Sequence, residues 1–324
     1  MLYPLKFKTV YKDKIWGGDK IRRILNKDFS PLPNCGETWE ISGIEPSCSV
    51  VSNGFLAGNT LNELIEVYMG DLVGEKVFDV FGEEFPLLIK FIDAKEDLSI
   101  QVHPNDKMAR QKHHANGKTE MWYIVDADPD ARLNIGFHIP VNRQTVQKHM
   151  LNNSLETILR YIPIETGDAV FIPAGCVHAI GKGVLLAEIQ QSSDITYRLY
   201  DYNRKDEQGN FRQLHIDDAL DAINYQDTEN HLITYSKQIN TTSSIISNPC
   251  FATNYLHINK PTEKMYIHID SFVIYICVSG KARIVYDKGE ESMQAGECVL
   301  MPAAIESAVI VPNTECALLE TYIP

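Results

Sequence analysis

The stretch Gly167–His178, GDAVFIPAGCVH, decides the fold predicted for this chain. Val170–Ile172 is a short apolar run of strand-forming residues, and Pro173 ends it. Gly175 permits a tight turn, after which a second strand begins. His178 would then lie beside the turn with its side chain directed inward. A lone histidine in such a unit is more often a satisfied core residue than a metal ligand, so the rest of the sequence must decide between these interpretations.

The spacing of glycine, proline and histidine in this stretch resembles the second motif of the cupin family, whose small β-barrels hold a metal ion. A similar stretch, GECVLMPAAIES, occupies residues 296–307. There Gly296 and Pro302 are kept, whereas Ala304 and Ser307 replace the second glycine and the histidine. We interpret this as a weak internal repeat, a second barrel that has lost its histidine and holds no metal. The alternative is a chance similarity of two strand–turn units.

Composition excludes several classes of protein. The 324 residues carry a net charge of −13, which argues against nucleic acid or an anionic membrane as a partner. The seven cysteines are odd in number and contain no Cys-x-x-Cys pair, which favours reduced thiols and a cytoplasmic location. The N-terminus has no apolar core typical of a secretory signal, and no stretch is apolar for long enough to span a membrane.

The predicted fold is mainly β: two cupin-like jelly-roll barrels with a few short helices. We expect an N-terminal catalytic domain with the metal site over residues 1–235, and a degenerate C-terminal β domain without metal over residues 236–324. The polar run Asn240–Ser244 is the best candidate for a linker between them.

Four polar side chains are candidate metal ligands. In the strand around Gln101 and His103, the period of two places both side chains on one face together with Ser99. Glu120 opens the next strand, and His178 lies beside the turn described above. Two histidines and a glutamate with an open position suit catalytic zinc, whereas the amide of Gln101 would be an unusual fourth ligand.

Three basic features admit two interpretations each. Lys90 interrupts an apolar strand, so it reaches either solvent or an anion. Arg198, among strand aromatics, either has a structural role, stacking or pairing with an acid, or binds an oxyanion. The segment Asn105–Thr119 has an excess of positive charge and is either a solvated loop or an anion-binding one.

With these residues assembled, the chain resembles the type I phosphomannose isomerase family in its short bacterial form. The resemblance rests on five stretches over residues ~3–225. They are Gly36–Gly43 (GETWEISG), Pro86–Asn105 (PLLIKFIDAKEDLSIQVHPN), Gly117–Ile124 (GKTEMWYI), Gly167–Ile180 (GDAVFIPAGCVHAI) and Glu188–Tyr202 (EIQQSSDITYRLYDY).

The resemblance implies an enzyme with one Zn²⁺ per chain that interconverts mannose 6-phosphate and fructose 6-phosphate through an enediol. It implies zinc ligands at Gln101, His103, Glu120 and His178. It further implies a catalytic arginine at Arg198, an active-site lysine at Lys118, and phosphate contacts at Lys90 and Ser99. The general base is left open among Lys118, Glu120 and a zinc-bound water, and the oligomeric state is also open.

Two other functions remain as alternatives. A metal-dependent cupin dioxygenase would keep the ligands but would not need the lysines. A non-catalytic sugar-phosphate-binding protein would bind the same small molecule without turnover. In each case the partner is a small molecule, and neither nucleic acid nor a membrane is expected.

Overall fold

The computed structural model describes residues 2–205 and 209–324. Short helices alternate with many strands along the first two thirds of the chain. The helices are α1 (Lys20–Arg23), α2 (Leu61–Val73), α3 (Glu75–Phe81), α4 (Asp106–His113), α5 (Arg143–Leu151), a 3-10 turn (Leu155–Ile158) and α6 (Ile216–Ala222). None of these helices combines the length and the apolar character that a membrane span requires.

The described strands form three antiparallel sheets. Strands β1 to β10 are β1 (Val10–Lys12), β2 (Glu37–Ser42), β3 (Leu87–Ala94), β4 (Ile100–Val102), β5 (Glu120–Ala127), β6 (Arg132–Phe137), β7 (Leu159–Pro163), β8 (Ala169–Ile172), β9 (His178–Ile180) and β10 (Val184–Gln191). The others are β11 (Tyr197–Tyr200), β12 (Leu232–Ile233), β13 (Thr242–Ser247), β14 (Ala252–Ile258), β15 (Thr262–Met265), β16 (Val273–Tyr286), β17 (Gly289–Gln294), β18 (Cys298–Met301) and β19 (Ser307–Tyr322).

Sheet I has the order β1-β2-β3-β10-β5-β8-β12, and sheet II has the order β11-β4-β9-β6-β7. They face each other across an apolar core to which sheet I contributes Trp122 and Ile172, and sheet II contributes Leu133 and Ile180. Sheet III contains β13-β14-β19-β16-β17, with β15 paired to β19 and β18 paired to β16. The mainly β, cupin-like prediction is confirmed, although the sheets are open at their edges and do not close into continuous barrels.

Sheet III covers the outer face of sheet I. Phe91 and Met121 on that face share one core with Ile274 and Leu319 of sheet III, and α2 packs into the same core. Near the N-terminus, Leu5 forms an isolated bridge to Leu300. Burial of apolar surface therefore joins the two parts of the chain, since every one of these side chains is shielded from water.

The two related stretches have the same local structure. Gly167 and Gly296 both adopt positive φ, 86° and 88°, just before β8 and β18 respectively. After the turn, β9 begins at His178 and β19 begins at Ser307. Gly175 also has a positive φ, 88°, at the position where the second stretch has alanine. The elements of the repeat thus occur in the same order in both stretches.

The predicted linker is wrong. Thr242–Ser247 is β13, which pairs with β14 along the edge of sheet III. Ser243 and Ile245 are buried, while Thr242, Ser244 and Ser247 are exposed. An edge strand with one solvent-exposed face needs an apolar or small residue only at every second position. Its sequence can therefore be as polar as that of a linker.

Candidate active site

Short strands of both facing sheets bring the four predicted ligands together. Gln101 on β4 lies opposite His178, the first residue of β9, and His103 directly follows β4. Ile100 and Val102 point to the other side, where they join the core beneath the helices. The alternation of polar and apolar residues in this strand therefore directs the amide and the imidazole into the space between the sheets.

The ligand atoms converge on one point. Glu120 places Oε2 3.5 Å from Nε2 of His103 and Oε1 3.5 Å from Nε2 of His178. The three side chains are fully buried, and their ligand atoms all lie within 4.8 Å of one another. Gln101 approaches the same point, with its amide nitrogen 3.3 Å from Nε2 of His178. A half-turn of that amide would present its oxygen there instead.

Backbone carbonyls orient both imidazoles. Nδ1 of His103 lies 2.9 Å from the carbonyl of Ile195, and Nδ1 of His178 lies 3.0 Å from the carbonyl of Cys176. Since a carbonyl only accepts hydrogen bonds, Nδ1 carries the proton in each ring and the Nε2 lone pair faces Glu120. This orientation is typical of histidines that bind metal ions.

Burial sets the charge of this cluster. Desolvation lowers the pKa of His178 to about 4 and also lowers that of His103, so that both rings are neutral at neutral pH. Desolvation raises the pKa of Glu120 to about 7, even though Lys118 opposes that shift. Apart from the ion pair of Oε2 with Lys118, neither oxygen of Glu120 has a partner among the described residues. A buried carboxylate of this kind, facing two imidazole lone pairs, is suited to a cation, and mixed N and O donors fit Zn²⁺.

Lys118 lies directly beside these ligands. Its ammonium is 3.1 Å from Oε2 of Glu120 and 3.1 Å from Nε2 of His103, and its side chain is buried. The lysine predicted as an active-site residue is thus in contact with two of the predicted ligands.

Cation affinity is expected to fall as the pH drops below about 7, the pKa of Glu120. A proton on the carboxylate competes with the metal, so each further pH unit should cost about tenfold in apparent Zn²⁺ affinity. Above this pKa the affinity should level off. Competition with a chromophoric chelator, at pH values on both sides of the pKa, measures this dependence. Glu120→Gln should bind more weakly and lose the pH dependence, and a flat profile for the unaltered protein would contradict the assignment.

A cavity of about 220 Å³ opens above the buried ligands. Its lining includes five of the predicted site residues: Lys90, Ser99, Gln101, Lys118 and Arg198. The lining contains five cationic residues (Lys14, Lys90, Lys118, Arg198 and Arg212) against three acidic ones (Glu37, Glu188 and Asp194). In a chain with a net charge of −13 this local excess favours an anionic ligand.

The interpretation that Lys90 reaches solvent from its strand is wrong. Its side chain is 4% exposed, with the ammonium 3.2 Å from Glu188 and 3.9 Å from Glu37. Burial lowers the pKa of Lys90, but the two carboxylates outweigh it and raise the pKa above its usual value. Lys14 also pairs with Glu37 at 3.1 Å. Neither glutamate was among the predicted site residues, although Glu37 lies in Gly36–Gly43 and Glu188 in Glu188–Tyr202, two of the stretches that carry the family resemblance.

Arg198 reaches the cavity from β11, where it lies opposite Gln101. One nitrogen donates to the carbonyl of Gln213 at 3.1 Å, whereas Nε is buried and has no partner in the part of the chain that the structure describes. Burial, followed by the charge of Arg212, lowers the pKa of Arg198. No carboxylate of the described residues lies within ion-pair distance of Arg198, which favours the oxyanion interpretation over pairing with an acid.

The basic segment Asn105–Thr119 contributes fewer cations to the cavity than its charge predicts. Much of it is α4, and Lys112 on that helix pairs with Asp218 and Asp221 of α6. Of the cations in this segment, the cavity lining includes Lys118 alone among the described residues.

Comparison with known proteins places this site in a family. A family model described as "Phosphomannose isomerase type I, catalytic domain" matches residues 4–130. The chain is 33% identical over 319 residues to mannose-6-phosphate isomerase ManA of Bacillus subtilis, covering 97% of each chain. This chain belongs to the type I phosphomannose isomerase family. The mannose-6-phosphate isomerase of Streptococcus mutans is likewise 33% identical over 308 residues, covering 95% of each chain.

Solved structures of phosphomannose isomerases have the same fold. The crystal structure of the Bacillus subtilis mannose 6-phosphate isomerase is 32% identical and superposes with a TM-score of 0.88 over 98% of this chain and 99% of that chain. A putative mannosephosphate isomerase from Archaeoglobus fulgidus shares the fold at 20% identity, with a TM-score of 0.78 over 99% of this chain and 98% of that chain.

Proposed function

We propose that this chain is a zinc-dependent isomerase that interconverts mannose 6-phosphate and fructose 6-phosphate. The observation that carries the proposal is the position of the buried Glu120–His103–His178 cluster directly beneath a cavity lined by cations. Membership of the family supports the reaction. A metal-dependent oxygenase would need no such cation-lined cavity, since its substrate need not be a phosphate ester.

The residues present fit Zn²⁺. Gln101, His103, Glu120 and His178 would hold it, because their donor atoms converge and the Glu120 carboxylate has no partner other than Lys118 among the described residues. When bound, the ion would supply a Lewis acid that polarises the sugar oxygens at the two exchanging carbons. Zinc undergoes no redox change, which fits a reaction with no net transfer of electrons to the protein.

The remaining chemistry falls to residues of the chain. Isomerisation moves a proton between C1 and C2 and leaves negative charge on an oxygen in between. Arg198 has a buried nitrogen without a partner among residues 2–205 and 209–324, and burial lowers its pKa, so it would stabilise that oxygen. Lys118 and Glu120 are in contact with each other and are the protein groups that could carry the proton.

The phosphate group would lie at the cationic side of the cavity. We keep Lys90 and Ser99 as its proposed contacts, since both line the cavity. The charge of Lys90 is already offset by Glu188 and Glu37, so Arg212 would supply much of the additional attraction.

We further infer that the catalytic domain spans residues 1–235 and that residues 236–324 form a non-catalytic β domain without metal, which packs against the first through the shared core. The strand pairing supports this division, because β12 at Leu232–Ile233 still pairs within sheet I and β13 at Thr242–Ser247 opens sheet III.

A coupled assay tests the function. Fructose 6-phosphate formation from mannose 6-phosphate is followed on protein of known metal content, before and after treatment with a chelator. We expect turnover that is lost with the chelator and restored by Zn²⁺. An absence of turnover in protein that carries zinc at the His103–Glu120–His178 cluster would contradict the substrate. Turnover that resists the chelator after complete metal removal would contradict the role of the metal.

Lys90→Met is expected to raise KM for mannose 6-phosphate by about tenfold, with a smaller change in kcat, because a phosphate contact made equally in the ground and transition states affects binding. The change also leaves Glu37 and Glu188 without this partner, so stability must be measured in parallel. Lys20→Met is a matched control, because Lys20 is a buried lysine paired with Asp126 and Asp128 away from the cavity lining. A KM unchanged by Lys90→Met would exclude Lys90 from the phosphate site.

A further inference from the structure

A second cluster of potential metal ligands lies outside the proposed active site. It consists of Cys176, Asp227 and His231, whose sulfur, carboxylate and ring nitrogen atoms all lie within 4.8 Å of one another. Cys176 is 1% exposed, and the side chains of His231 and Asp227 are 6% and 9% exposed. The part of the chain that the structure describes contains two groups of three potential metal ligands within 4.8 Å of one another: this cluster and the His103–Glu120–His178 cluster.

The segment after α6 is fixed in place on the turn between β8 and β9. The backbone N–H of Asn224 donates to the carbonyl of Gly175 at 2.9 Å, and the N–H of Phe171 donates to the carbonyl of His231 at 2.9 Å. From β7, Arg160 donates to the carbonyls of Thr228 and Glu229. Two main-chain hydrogen bonds and the Arg160 guanidinium therefore hold the segment that carries Asp227 and His231, without using the side chains of the cluster.

The backbone at His231 is also unusual. Its φ of 56° lies in the left-handed region, which non-glycine residues seldom occupy, although histidine does so more often than most. This conformation brings Nε2 to 2.9 and 2.8 Å from the two oxygens of Asp227, while an oxygen of the Asp227 carboxylate lies within 4.8 Å of the sulfur of Cys176. Three different donor types, sulfur, nitrogen and oxygen, thus face one another in a buried space.

We propose that Cys176, Asp227 and His231 form a second metal site that takes a zinc-like divalent cation. One sulfur, one imidazole and one carboxylate are donors that zinc accepts together, with a fourth position left for water. Ligand atoms about 2.0–2.3 Å from a tetrahedral ion are separated by roughly 3.3–3.5 Å. The His231–Asp227 contact must therefore open by about half an ångström on binding, which a small rotation of the two side chains supplies.

The proposed site is connected to the active site through the backbone. The carbonyl of Cys176 is the partner of Nδ1 of His178, and Cys176 and His178 lie in the same turn. A cation at the second site would hold that turn and the segment after α6 together. It would thus help to position one ligand of the first site without touching the substrate.

Cobalt substitution tests the proposal on the full-length protein. The active-site ligands include no sulfur, so a sulfur-to-cobalt charge-transfer band in the near ultraviolet would report on the second site. We expect about two equivalents of Co²⁺ and this band in the unaltered protein. Cys176→Ser should lose the band and one equivalent, and His178→Ala should keep the band while losing the other equivalent.

Two further variants complete the test. His231→Asn should also lose one equivalent, although it leaves every cysteine in place. Cys48→Ser is the matched control, because Cys48 is a buried thiol outside both clusters and its loss should leave the band and both equivalents intact. Either of two results would overturn the proposal. The unaltered protein could bind a single equivalent of Co²⁺ without a charge-transfer band, or the band could persist in Cys176→Ser. The cluster would then be a hydrogen-bonded group without a metal.

Discussion

His178→Ala is expected to abolish zinc binding and isomerase turnover together. His178 contributes Nε2 to the cluster, opposite Oε1 of Glu120, and it is fully buried, so another side chain cannot easily replace it. Without the ion, the sugar oxygens lose their electrophile, and we expect kcat to fall by at least about 1000-fold. Metal content by mass spectrometry and turnover in the coupled assay should fall in parallel.

Two controls separate this loss from misfolding. His268→Ala removes an exposed histidine and should leave metal content and turnover unchanged. His178→Gln retains a side chain that can donate to the carbonyl of Cys176, and its thermal unfolding should match that of the metal-free unaltered protein. If His178→Ala kept its zinc and lost only turnover, His178 would not be a ligand and would have to act on the substrate directly.

Arg198→Ala is expected to retain zinc and lose about 100- to 1000-fold in kcat. Arg198 lines the cavity, but it contacts none of the buried ligands except through strand pairing with Gln101. Its loss should therefore remove positive charge from the position where we propose that negative charge develops, without dismantling the proposed metal site. Steady-state kinetics and metal analysis of the same preparation measure both quantities.

Arg198→Lys refines this prediction. Lysine keeps the charge but not the planar, forked donor group, so partial recovery of kcat would indicate that charge matters most. Recovery no better than that of alanine would indicate that the geometry of the guanidinium is required. Release of zinc from Arg198→Ala would show that Arg198 supports the ligands, and its proposed role in stabilising the oxyanion would be wrong.

The positions of the ligands could be predicted because each follows from a local pattern. The alternation around Gln101 and His103 requires a shared face, and the Pro–Gly turn fixes the direction of His178. The structure brings His103 and His178 together with Glu120, and Gln101 approaches His178 at the same point. Their roles as ligands remain a prediction that the metal analysis above tests.

The surroundings of Lys90 could not be predicted in this way. All residues of β3 are buried, because sheet I lies between two apolar cores, so the alternation of the strand does not distinguish a wet face. The partners Glu37 and Glu188 come from β2 and β10, strands far apart in the sequence, and their register depends on the complete sheet. Arg212 lies in a segment without helix or strand periodicity, which gives no signal of where its side chain reaches.

The shared core between sheet I and sheet III constrains how the C-terminal third of the chain can vary in evolution. The residues of sheet III that pack on Phe91 and Met121 must stay apolar and closely packed. A cavity at this contact would destabilise the strands that carry the active site. The separate core within sheet III, around Tyr275 and Ile284, does not pack on the strands that carry the active site, so this constraint does not apply to it. Among related chains, substitutions should therefore accumulate in that inner core and spare the face turned toward sheet I.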